Sequence, residues 1–320
     1  MTRSIPLALT FLALAACGAE EPATTAPAEP AATDAAPAEA EVAEAAAAEL
    51  CLGAGPQTPR DIGNKAGLNT VEFPFAPPAS EMNLCNIHTH TNAEHKGPGF
   101  SVFVDATDSG GYACNETADL TEAELAPAPG AYEGVEPGQT IEVHWVHTTC
   151  PGAPGPGLGA CLTDGCENPR FRVEAQAFLV VNDPDALDFM DMAYQGNVVD
   201  GRHQALSIPS DTGEPVLFRG STTGPSYTQA SCSPFQVTWN VRPNCAKVDI
   251  NSLHRWAESG NVFEETKSHG VRQLVTAPEL LAPTSGERAP DVKSPALATF
   301  DSAPGVEVLD GKAAGPGSAP

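Results

Sequence analysis

Two stretches of the chain place histidines in runs with the side-chain period of a β-strand. The first contains Asn86, His88 and His90 at every second position, and the second, residues 141–147, contains His144. In a strand, side chains two residues apart project from the same face of the sheet. The two stretches therefore predict a β-rich fold in which His88 and His90 lie on a single face.

The spacing of His88 and His90 suits two ligands of one metal ion. At a rise of about 3.3 Å per residue, the two rings would stand about 6.6–7 Å apart along the strand. Two imidazoles at that separation can bind one cation if a third ligand comes from elsewhere, and His144 is the natural third ligand. The alternative interpretation is an ordinary pair of core or surface histidines.

The residues two positions before the histidines favour the metal site. Glu142 precedes His144 by two residues and Asn86 precedes His88 by two, so each pair would share a face. A histidine that binds a metal usually donates its second ring N–H to a carboxylate or carbonyl, which fixes its tautomer. The sequence thus contains three candidate ligands and two acceptors that would orient them.

Most of the remaining chain consists of short β-like runs separated by Gly and Pro, which favours an antiparallel or mixed β architecture. Two helices are predicted, at 185–194 after an Asn-Asp-Pro start and at 251–258. The segment 148–168 has repeated Pro-Gly and is predicted to be a loop. The predicted strands are 86–91, 100–104, 140–147, 170–182, 215–218, 235–242 and 246–250.

The cysteine content fits an exported protein. Of nine cysteines, Cys17 ends an apolar N-terminal stretch, and the remaining eight form an even set that predicts up to four disulfides. Cys161 and Cys166 would close a small local loop, although sequence alone leaves the connectivity open. A thiolate zinc site is the rival interpretation, and an oxidising compartment disfavours it.

Residues 1–17 are typical of an export signal, because Arg3 is followed by a short apolar run that ends in small residues. A cysteine directly after Leu-Ala-Ala resembles the bacterial lipobox, which implies cleavage before Cys17 and its lipidation. The alternative is an ordinary signal peptide with an incidental cysteine. Gly18 favours sorting to the outer membrane of a Gram-negative bacterium, where several acyl chains would anchor the protein stably.

Composition divides the rest of the chain into three parts. Residues 18–50 are almost entirely Ala, Pro, Glu and Thr and predict a disordered tether, and 284–320 predicts a disordered tail. The segment 51–283 is long enough for one domain with a substantial core. The net charge of −25 argues against a nucleic-acid partner, whose backbone requires Lys and Arg.

The histidine motifs resemble those of carbonic anhydrases. His88 and His90, then Glu94-His95, then the Glu-Val-His-Trp-Val-His run at 142–147, are similar in type and order to the zinc motifs of the alpha class. The chain as a whole resembles the delta class, first met in marine diatoms and related to bacterial sequences. The resemblance implies a mainly β single domain around a central antiparallel or mixed sheet, with a few short helices.

Three weaker stretches agree in order with the alpha class. Residues 55–62 resemble its Gln-Ser-Pro-Ile stretch, 220–225 resemble the loop that carries its gatekeeper threonine, and 237–241 resemble the strand whose tryptophan borders the substrate. The resemblance therefore runs from residue 55 to about 241, most of the predicted domain. The histidine motifs are specific, whereas these three stretches would be weak alone.

The resemblance implies a role for each matched residue. The implied zinc ligands are His88, His90 and His144. Asn86 would orient His88, Glu142 would orient His144, and His95 would support Glu142. Thr222 would accept a hydrogen bond from zinc-bound hydroxide and pass its own proton to Glu94. The implied residues of the CO2 pocket are Val146, Thr223 and Trp239.

The implied activity is reversible hydration of CO2 to bicarbonate and a proton through a zinc-bound hydroxide. Carbonic anhydrase is itself the reference case for a three-histidine zinc with one open position and bound water with a pKa near 7. CO2 and bicarbonate are then the small-molecule partners. Co²⁺ or Cd²⁺ are alternative occupants, since affinity order alone does not select the metal.

The chain departs from the alpha-class pattern in two places near these motifs. The Thr-Thr pair follows Ser221 directly, so the role assigned to Thr222 could shift by one residue. The interval between His90 and His144 is far longer than in the alpha class, which implies inserted structure around 100–138.

The proton relay has no counterpart at its alpha-class place. No histidine lies between residue 62 and His88, where the alpha-class shuttle would be expected. The remaining candidates are His147, His203 and His254, and a buffer molecule or water is the alternative.

Three other functions would use the same histidines. A non-catalytic zinc-binding lipoprotein for metal storage or delivery would have no use for Glu94 and Thr222. A catalytically inactive binding module usually lacks a zinc histidine, and all three are present here. Another zinc hydrolase, for instance an esterase, is compatible with an open metal site, although the sequence contains no HExxH motif.

Overall fold

The computed structural model describes residues 50–64, 66–104, 110–224, 226–271 and 275–284 of the 320. The predicted signal peptide, Cys17, and nearly all of the predicted tether and tail lie outside these residues. Lipidation, the outer-membrane location and the domain boundaries therefore stay predictions. Within the described ranges, no helix combines the length and the apolar character needed to cross a bilayer.

The described chain is mostly strand, as predicted, with a single α-helix, α1, at Ile250–Glu258. The strands are β1 Asn83–Thr91, β2 Val102–Val104, β3 Gly111–Ala113, β4 Thr140–Thr148, β5 Phe171–Val181, β6 Val198–Val199, β7 Arg202–His203, β8 Val216–Ser221, β9 Gln236–Val241, β10 Ala246–Asp249 and β11 His269–Gly270. Short 3-10 helices occupy Ala79–Glu81, Asn115–Asp119, Leu158–Cys161, Phe189–Met192 and Pro278–Leu280.

Seven strands form one mixed sheet in the order β11-β1-β4-β5-β9-β8, with β10 also paired to β5. Neighbours are antiparallel in β1–β4, β4–β5 and β8–β9, and parallel in β1–β11, β5–β9 and β5–β10. The predicted mixed sheet is therefore confirmed. The β2–β3 ribbon lies in the long interval between His90 and His144, where inserted structure was expected.

The sheet carries an apolar core on each face, and β4 contributes to both. Successive side chains of a strand project to opposite faces. Trp145 accordingly packs in one core with Trp256 of α1, while Val146 packs in the other with Trp239 of β9. All nine residues of β4 are buried. His144 belongs to the same face as Val146, which sets the side of the sheet on which a site can form.

One of the two predicted helices is correct. The helix at 251–258 is confirmed, although its N-cap is Asp249, whose side chain accepts from the Asn251 N–H. The helix at 185–194 is wrong, because only Phe189–Met192 forms a 3-10 helix there. Leu187 instead exchanges backbone hydrogen bonds with the β10 region, so this segment pairs with the sheet rather than with itself.

All eight cysteines of the described domain are paired, which confirms the four predicted disulfides. The pairs are Cys51–Cys232, Cys85–Cys161, Cys114–Cys245 and Cys150–Cys166. The predicted local pair of Cys161 with Cys166 is wrong. Cys161 ends a 3-10 helix and is buried against β1, where Cys85 is its partner.

A buried cluster of charged side chains lies beside His147 on β4. Glu174 contacts Arg172 at 2.6 Å and Arg242 at 3.1 Å. The His147 ring is fully buried, and its Nδ1 lies 3.0 Å from the Trp145 carbonyl oxygen. Burial, opposed in part by Glu174, lowers the pKa of His147 from 6.5 to about 4. This histidine is therefore neutral in the folded protein above that pH.

His147 should make the folded protein sensitive to mild acid. Below pH 6.5 the unfolded chain takes up a proton at this position before the folded one does, so stability is complete above 6.5 and is lost toward pH 4. Between pH 7 and about 4.5, we expect the free energy of unfolding to fall by about 2 kcal/mol more in the wild type than in His147→Gln. Urea unfolding at both pH values measures this difference, and equal losses would contradict it.

Candidate metal centre

The three predicted ligands meet on one face of the sheet. His88 on β1 is the register partner of His144 on β4, and His90 follows two residues along β1. The ring centroids are 5.1 Å apart for His88 and His90, 5.0 Å for His88 and His144, and 4.9 Å for His90 and His144. One ring nitrogen from each lies within 4.8 Å of the other two. The expected meeting of the three rings is confirmed, and their role as ligands stays a prediction.

Asn86 fixes which nitrogen of His88 faces the site. The Asn86 side-chain oxygen lies 2.7 Å from His88 Nδ1. An amide oxygen can only accept, so Nδ1 carries the proton and the lone pair is on Nε2. Burial, reinforced by the neighbouring His144, holds the pKa of His88 well below its usual value, so the ring is neutral.

Glu142 fixes the opposite tautomer in His144, with the proton on Nε2 instead of Nδ1. Its Oε1 lies 3.0 Å from His144 Nε2, so Nε2 donates and the lone pair is on Nδ1. This Nδ1 is 3.2 Å from His88 Nε2. Two lone pairs that face each other at this distance repel unless a cation lies near both. The donor set therefore fits a bound metal ion.

The Glu142 carboxylate is held by four donors. Its Oε2 accepts from the backbone N–H groups of Glu94 and His95 at 2.6 and 3.1 Å. Its Oε1 accepts from His95 Nδ1 at 2.7 Å as well as from His144. Burial alone would favour the neutral acid, but His95 and His144 hold the pKa of Glu142 well below its usual value. The expected contacts of His95 and His144 with Glu142 are therefore present.

His90 is the least satisfied of the three rings. It is 5 % exposed, and neither ring nitrogen has a hydrogen-bond partner among the described residues. The nearest charged atom is Glu94 Oε2, 3.5 Å from His90 Nε2, and burial is the main reason that the pKa of His90 falls to about 4. A buried polar ring without partners costs free energy. A metal ion would supply the missing partner.

A cavity of about 420 Å³ opens beside His88 and His144. Its walls are mostly apolar, and they include all three predicted pocket residues, Val146, Thr223 and Trp239. The Trp239 ring centroid lies 5.1 Å from that of His144, and its Nε1–H donates to the Ser221 carbonyl at 3.1 Å. The sheet therefore places a water-excluding surface directly beside the histidines.

Thr222 lines the cavity but has a different partner from the one that the resemblance implies. Its hydroxyl lies 2.7 Å from the Ser233 hydroxyl. Both carboxylate oxygens of Glu94 lack a hydrogen bond within the described part of the chain. The Thr222–Glu94 hydrogen bond is thus not formed in this structure, because the loop turns the Thr222 hydroxyl toward Ser233. The catalytic roles of Thr222 and Glu94 stay predictions.

The candidates for proton relay lie away from this cavity. Its lining includes none of His147, His203 and His254. His269, which is not among the histidines predicted from the sequence, stands beside His90 in the parallel pairing of β11 with β1. His269 is partly exposed, and its Nε2 lies 3.3 Å from a Glu265 carboxylate oxygen. The four-residue spacing of Glu265 and His269 was the only sequence signal that could have identified this pair.

Comparisons with solved structures found carbonic anhydrases of the alpha class. The alpha-carbonic anhydrase of Thermovibrio ammonificans, in complex with sulfanilamide, is 16% identical over 69% of this chain and 87% of its own, with a TM-score of 0.25. The Photobacterium profundum alpha-carbonic anhydrase is 15% identical over 71% of this chain and 91% of its own, with a TM-score of 0.24. Such low TM-scores support no conclusion about this chain.

The sequence itself matches one protein family over much of its length. No protein with curated annotation matches the chain significantly. The model of the family described as "Delta carbonic anhydrase" matches residues 79–252, more than half of the 320 residues. The match includes all three histidines and both strands that carry them. We conclude that the chain belongs to the delta carbonic anhydrase family.

Proposed function

We propose that the protein catalyses the reversible hydration of CO2 to bicarbonate and a proton, with Zn²⁺ held by His88, His90 and His144. The observation that carries the proposal is the convergence of these three buried rings, with their nitrogens within 4.8 Å of one another, in a member of this family. When bound, zinc would lower the pKa of a water molecule so that it loses its proton and attacks CO2 as hydroxide near neutral pH, chemistry for which carbonic anhydrase is itself the reference case.

The residues around the histidines would fix the tautomers and positions of the ligands before a metal ion binds. Asn86 keeps the proton of His88 on Nδ1, and Glu142 keeps the proton of His144 on Nε2. His95 and two backbone N–H groups keep Glu142 in place. Such outer contacts typically change metal affinity by about 10- to 100-fold.

The cavity suits a small apolar substrate. Val146 and Trp239 would border CO2, with Thr223 at the edge. Thr222 would accept a hydrogen bond from the attacking water and so point its lone pair toward CO2. The contact with Ser233 supports that residue as the acceptor of the Thr222 proton, while the resemblance assigns this role to Glu94.

We also propose that the protein is exported and anchored to the outer membrane through lipid on Cys17. The four disulfides of the domain support an oxidising compartment. The lipobox-like sequence before Cys17 supports lipidation.

Replacing His144 by alanine should remove one of three ligands. We expect His144→Ala to lose most bound zinc and all CO2 hydration. Arg255→Ala, which breaks an ion pair between α1 and Asp188, should keep both. Elemental analysis and stopped-flow hydration on the same samples test this. Full activity in metal-free His144→Ala would refute the mechanism. Zinc binding without hydration in the wild type would favour a storage or delivery protein.

Replacing Thr222 by alanine should separate turnover from metal binding. We expect Thr222→Ala to keep its zinc and to lower kcat on the order of 100-fold, because the attacking water loses its orienting partner. Ser233→Ala and Glu94→Gln, measured in parallel, identify the acceptor of the Thr222 proton as the residue whose loss also lowers kcat. Unchanged kcat in Thr222→Ala would contradict the role of Thr222.

Replacing Cys17 by serine should release the protein from the membrane. We expect wild-type protein expressed in a Gram-negative host to sediment with outer membranes, and Cys17→Ser to remain soluble after cell lysis. Metabolic labelling with a palmitate analogue gives a second readout. Membrane association that is unchanged in Cys17→Ser would contradict lipid anchoring at this position.

A further inference from the structure

We propose that the loop at 150–166 is a positioning element for His88. In this proposal the Gly155 carbonyl sets the orientation of the Asn86 amide, and the Cys85–Cys161 disulfide holds the loop in place. The proposal rests on the proposed function in that it concerns the same metal centre. It assigns a role to a loop and a disulfide outside the histidine motifs.

A β-bulge in β1 places both Cys85 and Asn86 on the face of the sheet that carries the histidines. The pairing of β1 with β4 shifts between Leu84 and Asn86, so Cys85 is an extra residue in β1. A bulge re-aims side chains that would otherwise alternate. Leu84 packs in the core with Trp145, whereas Cys85 packs in the core with Val146, on the histidine face. Cys85 and Asn86 can therefore both serve the histidine face although they are consecutive.

The orientation of the Asn86 amide is determined by the loop. Asn86 Nδ2 donates to the Gly155 carbonyl oxygen at 3.1 Å, while Asn86 Oδ1 accepts from His88 Nδ1 at 2.7 Å. A carbonyl oxygen can only accept, so the NH2 group must face Gly155 and the oxygen must face His88. The Gly155 carbonyl thus decides, through Asn86, that the lone pair of His88 is on Nε2.

The loop is attached to β1 at several points around Asn86. Gly155 N–H donates to the Cys85 carbonyl at 3.1 Å, and Asn83 Nδ2 donates to the Cys150 carbonyl at 3.0 Å. The disulfide from Cys85 to Cys161 adds a covalent tie six residues beyond Gly155. A loop rich in Pro and Gly, with little regular structure, depends on such ties for a fixed position.

The same loop forms part of the cavity wall. Leu158, Cys161 and Leu162 line the cavity next to His88 and His144. Leu158 and Leu162 are 39 % and 48 % exposed, so burial of these two side chains contributes little to holding the loop there. The Cys85–Cys161 disulfide therefore fixes the tautomer of His88, through Gly155 and Asn86, and also fixes one wall of the cavity.

Loss of the Cys85–Cys161 disulfide has a specific consequence for the tautomer of the His88 ring. Without the Gly155 acceptor, the Asn86 amide is free to rotate by half a turn and to present its NH2 group to His88. An NH2 group can only donate, so the Nδ1 lone pair would be favoured and the proton would move to Nε2. That tautomer points an N–H at the metal position and cannot bind there without rearrangement.

The test compares two double variants that each lose one disulfide. Cys85→Ala with Cys161→Ala removes the loop tie. Cys114→Ala with Cys245→Ala removes a disulfide that does not line the cavity and whose Cys114 packs with Leu179 and Val181. We expect only the first to weaken zinc binding, by about 10- to 100-fold in chelator competition. In metal-free protein, the ring ¹⁵N shifts of His88 should show Nδ1–H in the wild type and the control, and a tautomer mixture in the first variant.

A second pair of variants keeps every disulfide. Asn86→Leu removes the acceptor and should give the same His88 tautomer mixture, whereas Asn86→Asp, which can only accept, should restore Nδ1–H. This pair applies even if the first double variant fails to fold. Equal zinc affinity and equal His88 shifts in both double variants, or an unchanged His88 tautomer in Asn86→Leu, would overturn the proposal. A wild type that binds no zinc would refute the proposed function alone, since the metal-free ring shifts would still test this inference.

Discussion

The antiparallel pairing of β1 with β4 is the constraint on which the rest of the site depends. It places His88 opposite His144 and brings the Glu142 carboxylate within reach of the backbone at Glu94. A slip of one residue in a strand exchanges its two faces. Such a slip would move His144 into the core of Trp145 and Trp256, away from the other two rings. The two buried cores therefore stabilise the fold and also fix the register that forms the site.

The site is also a concentration of buried polar groups, which is costly without a ligand. Glu142 has all its partners, but the side chains of His90 and Glu94 lie buried without hydrogen bonds in the described part of the chain. A ligand that binds only the folded state stabilises it by mass action. Metal binding and folding should therefore be coupled in this domain, as they are in many metal-binding proteins.

Local patterns predicted the site better than they predicted the connections around it. The two-residue period was enough to place Asn86 with His88 and Glu142 with His144, because that period belongs to any strand. The prediction of a helix at 185–194 was wrong because the backbone of Leu187 pairs with β10, a long-range contact with no local signal. Disulfide partners and the Ser233 contact of Thr222 likewise depend on how distant segments meet. His269 was missed because a two-residue strand carries too short a pattern to detect.

The disulfide connectivity has a consequence for how the protein matures. None of the four disulfides joins two cysteines that are consecutive among the eight along the sequence, and even the shortest, Cys150–Cys166, passes over Cys161. Two of the bonds span 131 and 181 residues. An oxidase that joined thiols in the order in which they leave the ribosome or, under the proposed export, an export channel would trap mismatched pairs. Oxidative folding of this domain therefore calls for a thiol–disulfide isomerase, or for oxidation delayed until the sheet has assembled.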